Sequence, residues 1–371
     1  MFPEKIYQLA LTQTDHIGNV QAKLLVEHFK TATAIYTATK RELENIPGIG
    51  EIRAKSIVQF NKFALCEKML RQAESHGVAT VFIGEEEYPF RLLNCYDPPT
   101  VLYCKGNTSL NSQRTVAVIG TRNHTEYGRI QTEKFIRDLA AQNITIISGM
   151  AYGIDGLAHR AALKYGLPTI GILAHGLDEI YPPEHYSLAK DMLRQNGGFI
   201  TEFPIGKKPE KHHFPVRNRI VAGLSDAVVV IETGIKGGSM ITADLASGYN
   251  CEVFAFPGRA SDTKSSGCNF LIRKNKAILL TDSAGFLVEK DWIQQQKAPA
   301  IQAQLNLPHE LNPAETIILH LLGVQGIMPI DELYIKTGLN AGNAAAAILS
   351  LELKNLIETI PGKRYRLRNM D

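Results

Sequence analysis

Six short apolar runs recur through the middle of this chain: TVAVIG (115–120), ITIISG (144–149), PTIGILA (168–174), GGFITE (197–202), DAVVVIE (226–232) and CEVFAFPG (251–258). They are rich in Val and Ile and alternate with helix-like stretches such as YGRIQTEKFIRDLAAQ, IDGLAHRAALKYG and SMITADLASGYN. Strands that are apolar on both faces and separated by helices imply a parallel sheet covered on each side. The expected class is α/β, an extended Rossmann-like doubly wound parallel sheet. At 371 residues the chain is too long for that sheet alone.

The flanks supply two further domains. Residues 1–72 read as short helices, and two of their turns resemble each other. IPGIGEIRAKSI (46–57) has the form of a helix-hairpin-helix of the SAM-like kind, and DHIGNVQAKLL (15–25) repeats it with one glycine missing. Glycines there allow positive φ and free backbone N–H groups for a phosphate, or the pair serves only as a structural and protein-contact module. Residues 76–292 carry the Rossmann-like domain, entered through a Pro-containing connector with a strand expected over Thr100–Cys104. QQQKAPAIQAQLNLP reads as a linker. Over 308–371 three helices and a β-hairpin follow, a winged-helix pattern. Its candidate groove helix, NAGNAAAAILSLELKNL, has almost no cation at its start, where groove readers place Arg, Lys, Asn or Gln, so protein contact is the better reading there.

Charge decides little in bulk, since 40 Lys and Arg face 37 Asp and Glu, and any basic function must be local. Five cysteines without a CxxC pair argue against a disulfide framework and a zinc knuckle. No run of eighteen apolar residues and no basic leader with a long apolar run occur, so a cytoplasmic protein without a membrane partner is expected.

In a doubly wound sheet, ligands bind beyond the carboxyl ends of the strands, near a switch point. The residues to inspect there are Thr121, Arg122 and Asn123, then Ser148 and Gly149, then Gly238 and Ser239 where GGS opens a helix. Glycines ahead of a helix start suit an anionic oxygen. KHHFPVRNR (211–219) concentrates charge around one ring, with Pro215 placed for a first helical turn. Arg217, Asn218 and Arg219 cannot share a helix face, so the expected contact set is Arg217 or Arg219 with Lys211 and Phe214. Such a ring among cations fits an unpaired base with neighbouring phosphates. The alternative is a Phe plugging the core and arginines paired with nearby carboxylates. Glu232 and Asp244 make a possible acid/base pair, though carboxylates at strand ends also cap helices. Histidines 159, 175, 185, 212 and 213 show no metal-ligand spacing, and neither a metal nor a cofactor is expected.

Taken in order, VAVIGTRNHTEYG, SGMAYGIDGLAH, GLDEIYPPEH, TEFPIG, FPVRNRIVAGLS, VVVIETGIKGGSMITADLA, FAFPG and GCNFLIRKNKA resemble the DprA/Smf family of DNA-processing proteins over roughly residues 80–290. That resemblance implies a non-enzymatic, homodimeric protein that binds single-stranded DNA in a basic pocket and brings RecA recombinase onto DNA during natural transformation. It assigns the pocket to Arg122, Ser148, Gly149, Lys211, Phe214, Arg217, Asn218, Arg219, Gly238 and Ser239. Two departures stand out: Thr121 replaces a common Ser, and the loop TGIKGGS is one or two residues richer than usual. A second reading is an enzyme resembling lysine-decarboxylase-like phosphoribohydrolases. Their GGxGTxxE motif is here GGSMITAD, with its second half lost and Asp244 in place of Glu.

Overall fold

A computed structural model describes residues 2–106, 109–292, 311–354, 356–360 and 364–367. Two compact units result, Met1–Ile293 and Gln294–Asp371. The linker expected at 294–308 lies outside the described residues.

The first unit opens with six helices: α1 (Glu4–Gln13), α2 (Asn19–Phe29), α3 (Ala32–Thr37), α4 (Lys40–Glu44), α5 (Gly50–Val58) and α6 (Phe63–Ser75). The two similar turns precede α2 and α5. Gly48 takes φ +88°, and His16, at the matching place in the copy that lacks a glycine, takes φ +67°. Arg53 donates to the carbonyls of both turns, Nη1 to Gly48 at 3.0 Å and Nε to His16 at 3.2 Å, which holds the pair together.

The sheet then forms from β1 (Ala79–Phe82), β2 (Val101–Gly106), β3 (Thr115–Gly120), β4 (Thr145–Ser148), β5 (Thr169–Ile172), β6 (Gly198–Thr201), β7 (Ala227–Glu232), β8 (Glu252–Ala255) and β9 (Ile278–Leu279). Its order is β1–β2–β6–β5–β4–β3–β7–β8–β9. The strands from β6 to β9 in that order are parallel, whereas β1 and β2 run antiparallel at one edge. Residues 83–100 connect β1 to β2 with the four-residue α7 (Phe90–Leu93) as their helix; a parallel crossover is usually carried over the sheet by a longer helix, and here the chain instead returns to pair antiparallel.

Side-chain alternation sorts the strands into two apolar layers. Val116 and Val118 of β3 face α8 (Glu126–Leu139), α9 (Ile154–Lys164) and α14 (Ser283–Glu289), where Phe135, Ile136, Ala158 and Phe286 are buried. Ala117 and Ile119 face α11 (His213–Gly223), α12 (Gly238–Gly248) and α13 (Ser266–Arg273), through Ile220, Met240, Ala243 and Leu271. Each such Ile or Phe contributes about 1.5–3 kcal/mol by leaving water. Between β5 and β6 lies α10 (Tyr186–Arg194), whose Leu188 and Met192 join Ile6, Leu9 and Cys66 of the helical domain in a third cluster. The helical domain is thereby seated on the β1–β2–β6 side of the sheet.

The second unit comprises α15 (Pro313–Gln325), β10 (Met328–Pro329), α16 (Ile330–Thr337), α17 (Ala341–Leu353), β11 (Ile357–Ile360) and β12 (Arg364–Leu367), with strand order β10–β12–β11. Ile318, Leu322, Leu333, Ile348 and Leu351 form its core. Asn312 and Glu315 make a reciprocal capping box on α15, and the buried Glu315 carboxylate also takes Lys354 Nζ at 2.7 Å. Three helices and a terminal hairpin are the arrangement expected for a winged helix.

Candidate nucleic-acid interface

From β3 the chain lays β4, β5 and β6 to one side, then crosses back to place β7, β8 and β9 on the other. The β3–β7 pair is therefore the switch point, and α8 and α12 leave it toward opposite faces. A cavity of about 710 Å³ opens there, within the range of ligand pockets.

Each wall follows from local sequence. Arg122, exposed after β3, stands with its guanidinium 5.6 Å from the centroid of Phe214. Behind it, Gly153 begins α9 with φ +77°, and a Cβ there would sit 2.6 Å from the Arg122 carbonyl group and nearer still to the Thr121 carbonyl. The loop can approach the helix this closely only because residue 153 has no side chain. Pro215 falls in the first turn of α11, which presents Phe214 and Asn218 to the cavity, with Lys211 in the turn just ahead of the helix. Phe214 is half-buried, tilted at 53° against Tyr181 with centroids 5.8 Å apart. Across the cavity α12 begins after Gly237 with no side chain capping it, so its first amides and its positive dipole end face the opening. Gly238 is exposed there, while Asn218 Nδ2 donates to the Gly238 carbonyl at 3.2 Å and ties α11 to α12.

Two further cations line the cavity that the residue patterns did not single out, Lys236 and Lys264, along with Tyr181. Lys236 sits in the TGIKGGS loop, whose extra length was its only signal. Lys264 and Tyr181 are isolated in irregular loops. Among the described residues, Arg122, Lys211, Lys236 and Lys264 have no carboxylate partner, unlike nearby Lys207 and Lys208, which pair with Glu210 and Glu179. Asp155 is the one carboxylate among the described lining residues, and it is buried.

The structure turns several expected contacts inward. Ser148 is fully buried and its hydroxyl donates to the Val118 carbonyl at 2.7 Å; it does not line the cavity. Ser239 lines it, but its hydroxyl is committed to Thr233 Oγ1 at 2.7 Å. Arg217 is a buried floor strut whose Nη1 donates to the carbonyls of Gly149 and Ile172. A Cβ on Gly149 would lie 2.7 Å from its Cζ, so the glycine makes room for it. Burial pushes the Arg217 guanidinium down to about 10, with nearby Asp155 opposing, and it stays charged at neutral pH. Arg219 points away altogether, its Nη2 2.5 Å from Glu202 Oε2 and its Nη1 on the Asp97 carbonyl. Helix geometry explains the split: one hundred degrees separates successive residues, so only Asn218 of the three meets the opening with its side chain's polar end.

The possible acid/base pair is likewise dispersed. Glu232 is buried and accepts from Thr125 N and Oγ1 at 2.8 and 2.7 Å, fixing the start of α8. Asp244 is exposed and pairs with Lys276 at 2.7 Å. Neither lines the cavity.

A doubly wound sheet whose switch point gathers a helix N-terminus, two accessible rings and cations without carboxylate partners among the described residues has the chemistry to receive an anionic ligand that carries an aromatic base. The comparisons with known proteins narrow that class. The family described as DNA recombination-mediator protein A matches residues 79–290, a helix-hairpin-helix motif matches 14–67, and the DprA winged helix domain matches 302–363. Protein Smf of Synechocystis is 30% identical over 98% of this chain and 99% of its own. The X-ray structure of DNA processing protein A from Streptococcus pneumoniae superposes with a TM-score of 0.66 at 31% identity, covering 78% of this chain and 98% of that one. A Helicobacter pylori DNA processing protein A, whose structure is described as giving insight into its single-stranded DNA binding mode, gives 0.53 at 34% identity over 58% and 96%. The chain belongs to the DprA/Smf family.

Proposed function

We propose that this protein binds single-stranded DNA at the β3–β7 cleft as a non-catalytic DNA-processing protein. The observation that carries this reading is the half-buried Phe214 ring, flanked by Arg122 and Tyr181 beside lysines that have no carboxylate partner among the described residues. Stacking accepts any base, and phosphates are met by Arg122, Lys211, Lys236 and Lys264 and by the open amides of α12. A duplex hides its base faces, so single strands should bind more tightly than duplex of the same length at equal salt, with little dependence on sequence. A gel-shift comparison of the two on the full chain tests this, and equal affinities would overturn it.

The same reading extends to a homodimer, since two copies of a small cleft on one strand raise affinity through effective concentration. The outer strand β9 has no partner on its outer edge among the described residues, and its Ile278 and Leu279 are exposed, which favours pairing with a second copy. Light scattering should give twice the chain mass at micromolar protein; a monomer that retains DNA affinity would remove the dimer. Delivery of the bound strand to RecA rests on family membership. Exposed Ile335, Leu349 and Leu353 in the winged-helix unit support protein contact as that unit's role. No described helix is long and apolar enough to cross a membrane.

A further inference from the structure

Beside the cleft, the turn into α11 gathers three ligand-type side chains that the residue spacing E-x-H-H did not suggest. We propose that Glu210, His212 and His213 form a site for a divalent cation of the zinc class. Their candidate ligand atoms all lie within 4.8 Å of one another. The backbone creates this cluster: His213 N donates to the Glu210 carbonyl at 2.9 Å, which folds the segment into a tight turn and brings positions 210 and 213 together.

His213 supplies a second, independent sign. It is 4% exposed, lying beneath Phe203 and His212 with ring centroids 4.3 Å from each, and its Nδ1 is buried without a well-formed hydrogen bond among the described residues, the Lys208 backbone being the polar group beside the ring. Buried ring nitrogens are almost always satisfied, so an orphan beside a second imidazole and a carboxylate is the pattern of an unfilled ligand set. Two nitrogens and one oxygen suit zinc and its neighbours, and they leave a fourth position for water or another oxygen.

Two features oppose the ion. Lys207 Nζ lies 2.9 Å from Glu210 Oε1, and the positive end of α11 is adjacent. The exposed lysine pair is weak, and the other carboxylate oxygen, Oε2, already stands 3.7 Å from His212 Nδ1, facing the site. Occupancy would clamp the segment that carries Lys211 and Phe214, so the cation would act as a positioning device for the cleft. Its existence does not depend on what the cleft binds.

Metal binding itself is the test. Tag-free, chelator-stripped full chain is titrated with Zn2+ by calorimetry and with Co2+ by visible absorption, alongside His212→Ala and Glu210→Gln. Both altered residues are exposed, so folding is not at stake. One ion per chain is expected, with the visible bands of Co2+ in a low-coordinate nitrogen and oxygen site. Each variant should weaken affinity by at least about tenfold. No uptake at sub-millimolar Zn2+, or uptake that either variant leaves unchanged, overturns the proposal, the latter by placing the ion on other side chains.

Discussion

Arg219→Ala should destabilise the first unit by about 3–5 kcal/mol, the loss seen when one partner of a buried ion pair is removed. The guanidinium is 8% exposed and serves Glu202, 13% exposed, along with Asp97, whose Oδ2 is 3.5 Å away. Asp97 retains the Tyr249 hydroxyl at 2.6 Å after the substitution, whereas Glu202 keeps only a hydrogen bond from the neutral Asn19 side chain, and its Oε1 has no partner among the described residues. Burial pushes the Glu202 carboxyl up even with Arg219 opposing. In the variant that opposition disappears, and the folded-state value rises further above the unfolded one. A carboxyl raised on folding contributes stability that is present at low pH and is lost as pH climbs past its unfolded value. The variant's deficit should therefore be larger in neutral than in mildly acidic buffer. Thermal melts at both pH values measure it. A variant that melts like the parent at neutral pH while losing affinity for single strands would return Arg219 to the phosphate-contacting set.

The contrast between Arg219 and Arg122 shows what the residue pattern can and cannot reveal. Strands β3 to β8 were legible because period-free Val and Ile runs with helices between them permit few other folds. Strand β1 was not, because its ATVF run is embedded in a Pro-containing connector, and β9 is two residues long. For the cleft, position after a strand was enough to find Arg122, Gly149 and Gly238, and Pro215 placed the helix start that presents Lys211 and Phe214. The fate of Arg217 and Arg219 was hidden, since their partners are carbonyls and a carboxylate brought in from elsewhere in the chain: Gly149 from the loop after β4, Ile172 from β5, Asp97 and Glu202 from loops. Charge clustering in a sequence reports how many cations are near, and only the three-dimensional partners report which are free. Lys236 and Lys264 make the converse case, cations without a carboxylate partner among the described residues, in loops where nothing about the neighbouring residues singled out the lysine itself.

Phe214 and the free cations should separate cleanly in binding measurements. Phe214→Ala should lose roughly 1–3 kcal/mol of affinity for single strands, about five- to 150-fold, through lost stacking. Its dependence on salt should stay nearly unchanged, because a neutral ring releases no counterions. Lys211→Ala with Lys236→Ala should do the reverse in kind, flattening the log–log salt slope by about 1.4, or about 0.7 for each lost phosphate contact. Arg122 is expected to affect both, since it stands over the ring and carries a charge. Stability is not expected to interfere for the lysines, which have no carboxylate partners among the described residues. For Phe214 it must be measured, although a half-buried ring against Tyr181 should cost less than the about 3–5 kcal/mol of a fully buried Phe. Melting therefore precedes titration for that variant. A folded Phe214→Ala protein with parental affinity would remove the stacking platform, and a double lysine variant with an unaltered salt slope would move the strand's path off the β3–β7 cleft.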